Sequence, residues 1–338
     1  MRIDTICSDN WTKMIRWSVL SNEAAETIVK GETGMKIGMI GLGKMGGNMA
    51  TRLARAGVTV VGHDHSPEVV SSWVASAGIV GASSVDALIA ALPAPRVIWL
   101  MLPSGPITEE QLVGLSQRLA PGDVVVDGGN SNYHDSERRA ALLAEKGIGF
   151  MDAGTSGGVW GLENGYCLMV GATPEVARQV RPFLEILAPH PERGWAHVGP
   201  VGAGHYVKMV HNGIEYGMMQ SLAEGLALLQ GKTAFDLDLA KITDLWGEGS
   251  VVRSWLLELT ADALRKGVDW NQMAAVVADS GEGRWTAIEA IEQGIPAPVL
   301  SLALHLRFQS QDREALTFKL LSVMRHAFGG HAIQSSGQ

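Results

Sequence analysis

Short apolar runs alternate with amphipathic stretches along the first half of the chain. Runs of strand length occur at KIGMI (36–40), VTVV (58–61), RVIWLML (96–102), DVVV (123–126) and GFMDAG (149–154). Segments between them, such as NMATRLARAG (48–57) and EEQLVGLSQRL (109–119), have the apolar spacing of helices. Because strands that alternate with helices form parallel βαβ units, we predict an α/β Rossmann-type doubly wound domain over residues 35–200.

A different pattern occupies the second half of the chain. After about residue 200 the strand-like runs stop, and amphipathic stretches follow at 205–229, 254–266, 285–292, 300–309 and 314–327. We find no internal repeat or low-complexity linker between the halves. We therefore predict an all-α domain over residues 201–338, and we expect the functional site in the cleft between the two domains.

The first 34 residues show neither strand alternation nor a glycine motif, and contain only short helical stretches at 11–20 and 23–29. A second methionine, Met35, opens the first strand-like segment. We predict that residues 1–34 form a poorly ordered N-terminal extension. A docked helix is the alternative.

The composition narrows the class of protein. With 338 residues, 46% of them hydrophobic and 18% charged, the chain is long enough for two globular domains. Its net charge of −8 argues against a general binder of nucleic acid or anionic membranes, and favours a small-molecule partner. Cys7 and Cys167 form no CxxC or Cys/His array, so we predict neither a disulfide framework nor a zinc site. No apolar run reaches membrane-spanning length, and we expect a soluble, cytoplasmic, metal-free protein.

A glycine turn follows the first predicted strand. Gly41, Gly43 and Gly46 form GxGxxG between a strand-like and a helical segment. In such a turn the first two glycines allow close approach of a pyrophosphate, and the third lets the helix pack on the strand. The context predicts dinucleotide binding, with a fortuitous glycine turn as the alternative.

An acidic residue, Asp64, ends the second predicted strand. A carboxylate at this place accepts hydrogen bonds from the adenosine ribose and repels a 2′-phosphate. The next residues, His65 and Ser66, supply no arginine for such a phosphate, so the sequence favours NAD over NADP. Alternatively, Asp64 only caps the turn before Pro67.

Loops after the later strands are expected to face cofactor and substrate, as ligand-binding loops do at the carboxyl ends of parallel strands. These loops are LPSG (102–105), DGGNSN (127–132) and SGG (156–158). Successive glycines in the last loop either present backbone N–H groups to an anion or form a simple loop of small residues.

One segment, HYVKMVHNGIEY (205–216), is unusually rich in polar residues. At about 100° per residue, one broad helical face carries Lys208, His211, Asn212, Glu215 and Tyr216. This face either lines a cleft or is an ordinary solvated face. The apolar residues of the segment lie mainly elsewhere and are expected to form a buried flank: Val207, Met209, Val210 and Ile214.

Together these motifs resemble a known family. From residue 35 to about residue 331, the chain is similar to the short-chain type of 6-phosphogluconate dehydrogenase, in the β-hydroxyacid dehydrogenase superfamily. The matching pieces are GLGKMG, MLPSG, DGGNS, TSGG, GAGHYVKMVHNGIEY, GEGRWT and RHAFGGH. The resemblance implies oxidative decarboxylation of 6-phospho-D-gluconate to D-ribulose 5-phosphate and CO₂ with NAD, in the pentose phosphate pathway or gluconate metabolism. It also implies a homodimer or homotetramer with shared active sites.

The resemblance implies roles for individual residues. Lys208 matches the catalytic base of the family, and Glu215 matches its catalytic acid. The positions that hold the substrate's carboxylate and hydroxyls are Asn130, Ser156, Gly157, Gly158, His211 and Asn212. The positions around its phosphate are Tyr216, Arg284 and Arg307, joined by Arg325 and His331 from a tail of the partner subunit. The cofactor positions are Gly41, Leu42, Gly43, Lys44, Met45, Gly46, Asp64, Leu102, Pro103 and Asn130.

The chain departs from the family pattern in two places. GEGRW replaces the KGTGKW of larger members, so Arg284 stands in for a phosphate-binding lysine and adds bidentate geometry. The stretch after this motif is also shorter. His65 replaces the arginine typical of NADP-dependent members, in agreement with the argument from Asp64.

The implied reaction explains why one helix face carries both Lys208 and Glu215. A lysine accepts the proton of a secondary alcohol only when it is neutral, and desolvation favours that form. After hydride loss the β-keto acid releases CO₂, and the reprotonated lysine stabilises the enolate oxygen without a metal. Glu215 then protonates the carbon.

Two other functions remain as alternatives. One is a non-decarboxylating β-hydroxyacid dehydrogenase that acts on a small unphosphorylated acid, and Glu215, Arg284 and Arg307 argue against it. The other is a catalytically idle NAD-binding scaffold, which intact Lys208 and Glu215 make less attractive.

Overall fold

The computed structural model describes residues 34–329 and 332–333, so that all but one residue of the predicted extension over 1–34 lies outside the described residues. The chain forms two compact units, which divide between Tyr206 and Val207. No helix in the described ranges is long and apolar enough to cross a membrane.

The first unit is built on one eight-stranded sheet. Its strands are β1 (Lys36–Ile40), β2 (Thr59–His63), β3 (Val80–Gly81), β4 (Val97–Leu100), β5 (Val124–Asp127), β6 (Gly149–Ser156), β7 (Cys167–Ala172) and β8 (Trp195–Gly199). Their order across the sheet is β3-β2-β1-β4-β5-β6-β7-β8. The order reverses beside β1, between β2 and β4, and such a switch point is where doubly wound sheets bind ligands. The Rossmann-type prediction is confirmed.

Helices connect these strands. They are α1 (Lys44–Arg55), α2 (Pro67–Ala77), α3 (Val85–Ala90), α4 (Pro106–Ser116), α5 (Tyr133–Ala144), α6 (Gly161–Asn164) and α7 (Pro174–Leu187). Side-chain oxygens accept backbone N–H groups at the starts of several of them, namely at Ser66, Ser84, Asn132 and Thr173. These caps satisfy donors that the first helical turn leaves without partners.

The sheet has an apolar core on each face. Along β4, Trp99 belongs to one buried cluster, whereas Ile98 and Leu100 belong to the other. Successive strand residues point to opposite faces of the sheet. Where helices cover both faces, a strand must therefore be apolar at nearly every position. This explains why the runs in the sequence are continuous rather than alternating.

One part of the sheet differs from the predicted parallel pattern. β6 and β7 pair antiparallel, with Asp152 opposite Gly171. The connection over residues 157–166 holds only a turn of 3₁₀ helix and the four-residue α6. A parallel crossover needs a dozen or more residues, so this connection returns the chain in the opposite direction.

The second unit is helical, and its residues 207–329 contain no strand. A long helix, α8 (Ala203–Gly231), begins just before the unit boundary. The others are α9 (Leu239–Gly247), α10 (Trp255–Arg265), α11 (Glu282–Glu292), α12 (Pro298–Gln311) and α13 (Leu316–Gly329). The predicted all-α character is confirmed, and α9 is a helix that the sequence pattern did not predict.

Candidate active site

The glycine turn joins β1 to α1. Gly41 has a φ of 89°, and a Cβ atom there would collide with the Met101 carbonyl. A Cβ atom on Gly46 would collide with the Gly41 carbonyl, whereas one on Gly43 would meet no atom within 4 Å. Gly43 therefore borders open space at the N-terminus of α1, where backbone N–H groups attract anions. This arrangement fits the pyrophosphate of a dinucleotide.

The other residues of the GLGKMG turn divide between the core and the surface. Leu42 is buried, and its carbonyl accepts a 2.8 Å hydrogen bond from Trp73 Nε1. Met45 packs against the core, whereas Lys44 is exposed at the first turn of α1. The turn is thus held from inside while its cationic side chain stays accessible.

Asp64 is bonded to the backbone on both sides. Its Oδ2 accepts from the Leu42 N–H at 2.8 Å, and its Oδ1 accepts from the Ser66 N–H at 3.0 Å. The capping role weighed for Asp64 is therefore real, and it extends to the glycine turn itself. His65 Nδ1 lies 2.9 Å from Oδ1, but the His65 side chain is 96% exposed. The Asp64 carboxylate therefore borders the glycine turn. The neighbouring His65 side chain is not constrained by packing.

A buried ion-pair network supports the next two loops. Arg139 donates from Nη1 to Asp127 Oδ2 at 3.1 Å and to Ser131 Oγ at 3.0 Å, and from Nη2 to the Gly105 carbonyl at 3.3 Å. Its Nε donates to Glu109, 2.9 Å away. One guanidinium therefore ties the LPSG loop to the DGGNSN loop.

The predicted residues of these loops lie at the surface. Leu102 is half-buried, and its carbonyl lies 2.8 Å from where a Cβ on Gly129 would stand. Pro103 and Asn130 are exposed. The structure thus brings the two loops into contact and leaves their tips accessible to a ligand.

The SGG segment lies at the end of β6. Ser156 is its last strand residue, and Gly157 and Gly158 have φ values of 128° and 52°. Asn48 of α1 donates to the Val159 carbonyl at 3.3 Å. The segment is therefore tied to the helix that starts at the glycine turn, and its positive φ values require glycine.

The first turn of α8 is anchored to the sheet by Asp152. Its Oδ1 accepts from Gly202 N–H at 2.7 Å, and its Oδ2 accepts from His205 N–H at 2.8 Å. Burial raises the pKa of Asp152, although the hydrogen bonds and the nearby His205 oppose that rise. His205 Nδ1 is 2.7 Å from Ser136 Oγ. These contacts fix the first turn of α8, and the last of them, at His205, lies three residues before Lys208.

The polar face of α8 is buried at its centre. Only 6% of Lys208 and 8% of Asn212 is exposed, which contradicts the alternative of a solvated face. Lys208 Nζ donates to Asn212 Oδ1 at 2.9 Å, and His211 Nδ1 lies 3.0 Å from the same oxygen. Asn212 Nδ2 donates to Glu282. Three predicted residues therefore meet at one amide.

The predicted apolar flank of α8 is only partly correct. Met209 is buried, but Val207 and Ile214 are exposed. Helix α11 supplies partners on the buried side: Glu282 accepts from the Asn212 side chain, and Thr286 Oγ1 donates to the Met209 carbonyl at 2.9 Å. Glu215 is half-buried, two turns after Lys208, or about 10 Å along the helix.

The three predicted phosphate-binding residues cluster. The Arg307 guanidinium stacks 3.5 Å from the centre of the Tyr216 ring, and that of Arg284 lies 4.5 Å from the Phe308 ring. Arg284 also donates to both oxygens of Asp279, at 3.0 and 2.9 Å, and these bonds lower the pKa of Asp279. The Arg284 side chain remains more than half exposed, so a ligand phosphate can reach it.

The two C-terminal candidates lie apart from this cluster in the sequence. Arg325 is exposed and lies inside α13, not in a tail after the last helix. His331 lies outside the described residues.

Sequence reasoning missed several side chains of the site, among them Arg139, Asp152, Asp279 and Glu282. Glu282 stands inside the GEGRW motif, and an acidic residue between two glycines was the one local signal. Within the described residues, no cluster of three or more His, Cys, Asp or Glu side chains is arranged to hold a metal ion.

Comparison with known proteins covers both units. Residues 36–199 match the family model for the NAD-binding domain of 6-phosphogluconate dehydrogenase, and residues 204–319 match that for its C-terminal domain. An NAD(+)-dependent, decarboxylating 6-phosphogluconate dehydrogenase of Haloferax volcanii is 41% identical over 300 residues, or 88% of this chain and 98% of the relative. An NADP(+)-dependent enzyme of Bacillus subtilis is 35% identical, over 82% of this chain and 62% of the relative. The solved 6-phosphogluconate dehydrogenase of Plasmodium falciparum superposes with a TM-score of 0.76 at 30% identity, over 90% of this chain and 67% of that one.

Proposed function

The chain belongs to the 6-phosphogluconate dehydrogenase family, and from this premise we propose that it oxidises and decarboxylates 6-phospho-D-gluconate to D-ribulose 5-phosphate and CO₂ with NAD. The observation that carries the proposal is the buried Lys208, oriented by Asn212 on a helix that also carries Glu215. An idle binding protein would have no use for a buried lysine held in this way.

Lys208 is the proposed base. In its neutral form the buried amine would take the proton of the substrate's C3 hydroxyl. Bound NAD would supply the acceptor for the hydride that leaves the same carbon. Loss of the C1 carboxylate as CO₂ then leaves an enolate, whose oxygen the protonated Lys208 stabilises. Glu215 delivers a proton to the carbon that lost CO₂, which completes the product.

NAD is the proposed cofactor. The open space beside Gly43 and the start of α1 would take the pyrophosphate, and Asp64 would take the ribose hydroxyls. The Asp64 carboxylate would repel the 2′-phosphate of NADP. His65, unlike an arginine, offers that phosphate no permanent charge.

The phosphate of the substrate is assigned to Arg284 and Arg307, beside Tyr216. Both guanidiniums lie on aromatic rings that orient them. Asp279 also holds Arg284, so the phosphate would have to share this arginine with a carboxylate. The substrate carboxylate and hydroxyls are assigned to Asn130, Ser156, Gly157, Gly158, His211 and Asn212.

A homodimer or homotetramer with shared active sites completes the proposal. Six large apolar side chains of α13 are exposed: Leu316, Phe318, Leu320, Leu321, Val323 and Met324. Single chains rarely expose so many large apolar side chains on one helix, and a second copy would cover them. Arg325 on the same helix, with His331, would then reach the neighbouring site. We place the enzyme in the cytoplasm, where its phosphorylated substrate and NAD are present.

A substrate comparison tests the proposal. Purified protein is supplied with NAD and 6-phosphogluconate, gluconate or 3-hydroxyisobutyrate, and NADH is followed by absorbance. We expect rapid reduction with 6-phosphogluconate and a KM at least about 100-fold higher for gluconate, because charge-assisted bonds to the phosphate are lost. Equal use of gluconate would contradict the assignment of the two arginines. A preference for 3-hydroxyisobutyrate would favour the non-decarboxylating alternative.

A further inference from the structure

The reaction as proposed leaves one buried carboxylate of the site without a task. Glu282, at the start of α11, is 2% exposed. Its Oε2 accepts hydrogen bonds from Asn212 Nδ2 and, at 3.1 Å, from Ser280 Oγ. Through Asn212 it is therefore one residue away from the Lys208 amine. We infer that Glu282 is a positioning residue that fixes the orientation of the Asn212 amide, and so the hydrogen-bond acceptor that faces the catalytic lysine; this inference rests on the proposed function.

The chemistry of the two groups sets this orientation. A carboxylate only accepts hydrogen bonds, so the Asn212 amide must turn its NH₂ group toward Glu282. The amide oxygen then faces the opposite way, toward Lys208 Nζ at 2.9 Å and His211 Nδ1 at 3.0 Å. With a glutamine in place of Glu282, the amide could turn over and present a donor to the lysine. The carboxylate thus decides whether Lys208 meets an acceptor or another donor.

The orientation of that acceptor matters for both roles of Lys208. The Asn212 oxygen accepts one N–H of the Lys208 amine. This bond restricts the directions of the nitrogen lone pair and of the remaining N–H bonds. A base must aim its lone pair at the substrate hydroxyl, and the same nitrogen must later aim an N–H at the enolate oxygen. A misturned Asn212 would therefore slow turnover more than it would weaken cofactor binding.

The backbone around Glu282 brings its carboxylate close to α8. A Cβ on Gly283 would lie 2.5 Å from the Tyr216 ring, and a Cβ on Gly213 would lie 2.6 Å from Thr286. The two helices thus approach at positions where only glycine fits. Ser280 adds a second donor to Glu282, and its backbone N–H donates to the Tyr216 hydroxyl at 3.1 Å. Two donors from different parts of the chain therefore hold the same carboxylate oxygen, Oε2.

The charges of this arrangement are also complementary. A buried carboxylate is unfavourable unless hydrogen bonds and an opposite charge compensate for lost hydration. Asn212 supplies the hydrogen bond, and Lys208 at its other end supplies the positive charge whenever the amine is protonated. An exposed acidic residue would be sufficient to stabilise the start of α11. Burial of Glu282 against Asn212 therefore indicates a further role.

Reciprocal exchange of the two side chains tests the inference. Three variants are compared with wild type: Glu282→Gln, Asn212→Asp, and the double exchange, which preserves total charge and nearly preserves size. In the double variant, the introduced glutamine can donate to the introduced aspartate, whose second oxygen can still accept from Lys208. Glu292→Gln removes an exposed carboxylate from the same helix and is the matched control. We measure kcat, the KM for each substrate and the melting temperature.

We expect kcat of Glu282→Gln to fall roughly 10-fold to 100-fold, with the KM for NAD changed less than about twofold. Asn212→Asp places two carboxylates next to each other, so its kcat should fall further than that of Glu282→Gln. The double exchange should regain at least about tenfold in kcat over Asn212→Asp. A purely structural role would change melting temperature without this recovery, and Glu292→Gln should match wild type.

The inference is overturned if Glu282→Gln keeps kcat within about twofold of wild type, or if the double exchange is no better than Asn212→Asp. If Glu282→Gln alone does not fold, the comparison of Asn212→Asp with the double exchange still decides. A wild-type protein inactive on 6-phosphogluconate would instead contradict the proposed function. An active wild type with a fully active Glu282→Gln variant would remove only the role of Glu282.

Discussion

Cofactor choice can be reversed at two adjacent residues. We predict that Asp64→Asn combined with His65→Arg shifts the enzyme from NAD to NADP. The asparagine keeps a carbonyl that can accept from Leu42 N–H, which the Asp64 carboxylate holds at 2.8 Å. The His65 side chain is 96% exposed, so the arginine displaces no packed group.

The size of the shift follows from the charges. Two unit charges 4 Å apart interact with about 4 kcal/mol at an effective dielectric constant near 20, and salt screening reduces this near the surface to roughly 2 kcal/mol. Removing the Asp64 carboxylate should thus raise kcat/KM for NADP about 30-fold. A guanidinium bonded to the 2′-phosphate adds about 1.5 to 3 kcal/mol. The two contributions together amount to about 3.5 to 5 kcal/mol, so the NADP to NAD ratio should rise by roughly 400-fold to 5,000-fold.

Steady-state kinetics with both cofactors measures this ratio. The single variants are the controls: Asp64→Asn should remove the repulsion, and His65→Arg should add only the attraction. A thermal melt verifies that the glycine turn survives the loss of the charge. If the double variant keeps the wild-type ratio, the Asp64 carboxylate does not border the ribose, and the reasoning is refuted.

Further variants test the supporting network, its pH dependence and the shared site. Arg139→Met should lower the free energy of unfolding by about 3 to 5 kcal/mol, because it leaves Asp127 buried without its cation. Denaturant titration measures this loss, and a change below about 1 kcal/mol would show that the ion pair is dispensable. A hydrogen bond from Arg138, with the nearby Arg139, lowers the pKa of Glu109 from 4.5 to about 2, so its stabilisation is present above pH 4.5 and is lost as pH falls toward 2. The stability gap between wild type and Glu109→Gln should therefore be larger at about pH 7 than at about pH 3, and an equal gap would contradict this. Mixing Lys208→Ala with Arg325→Ala chains should restore activity in hybrids, and no recovery after exchange confirmed by native mass spectrometry would mean that α13 serves its own subunit.

Local sequence signals were sufficient to predict much of the fold of the first unit. The glycine turn and the strands beside it depend on neighbouring residues, so GLGKMG and the apolar runs predicted them. The segment over β7 and β8 was not predicted, and its antiparallel pairing follows from a connection too short for a crossover. Connection length becomes informative only once both strand ends are known.

The candidate site shows the same division. Lys208 and Asn212 are one helical turn apart, so spacing alone placed them on one face. Asn212 and Glu282 are 70 residues apart in the sequence, so no local pattern predicts their contact. Arg139 was equally hidden, because a buried arginine in an amphipathic helix has the sequence appearance of a surface residue. Val207 and Ile214 were misassigned because they are exposed on α8, whereas the polar Asn212 is buried through its hydrogen bond to Glu282 of α11.

The stoichiometry of CO₂ and NADH tests the central claim most directly. 6-Phosphogluconate labelled with ¹³C at C1 is supplied with NAD, and labelled CO₂, NADH and the sugar product are measured together. The account predicts that each NADH appears with one labelled CO₂ and one ribulose 5-phosphate. NADH formed with the label retained in a keto acid would contradict it, because the protein would then be a dehydrogenase that does not decarboxylate.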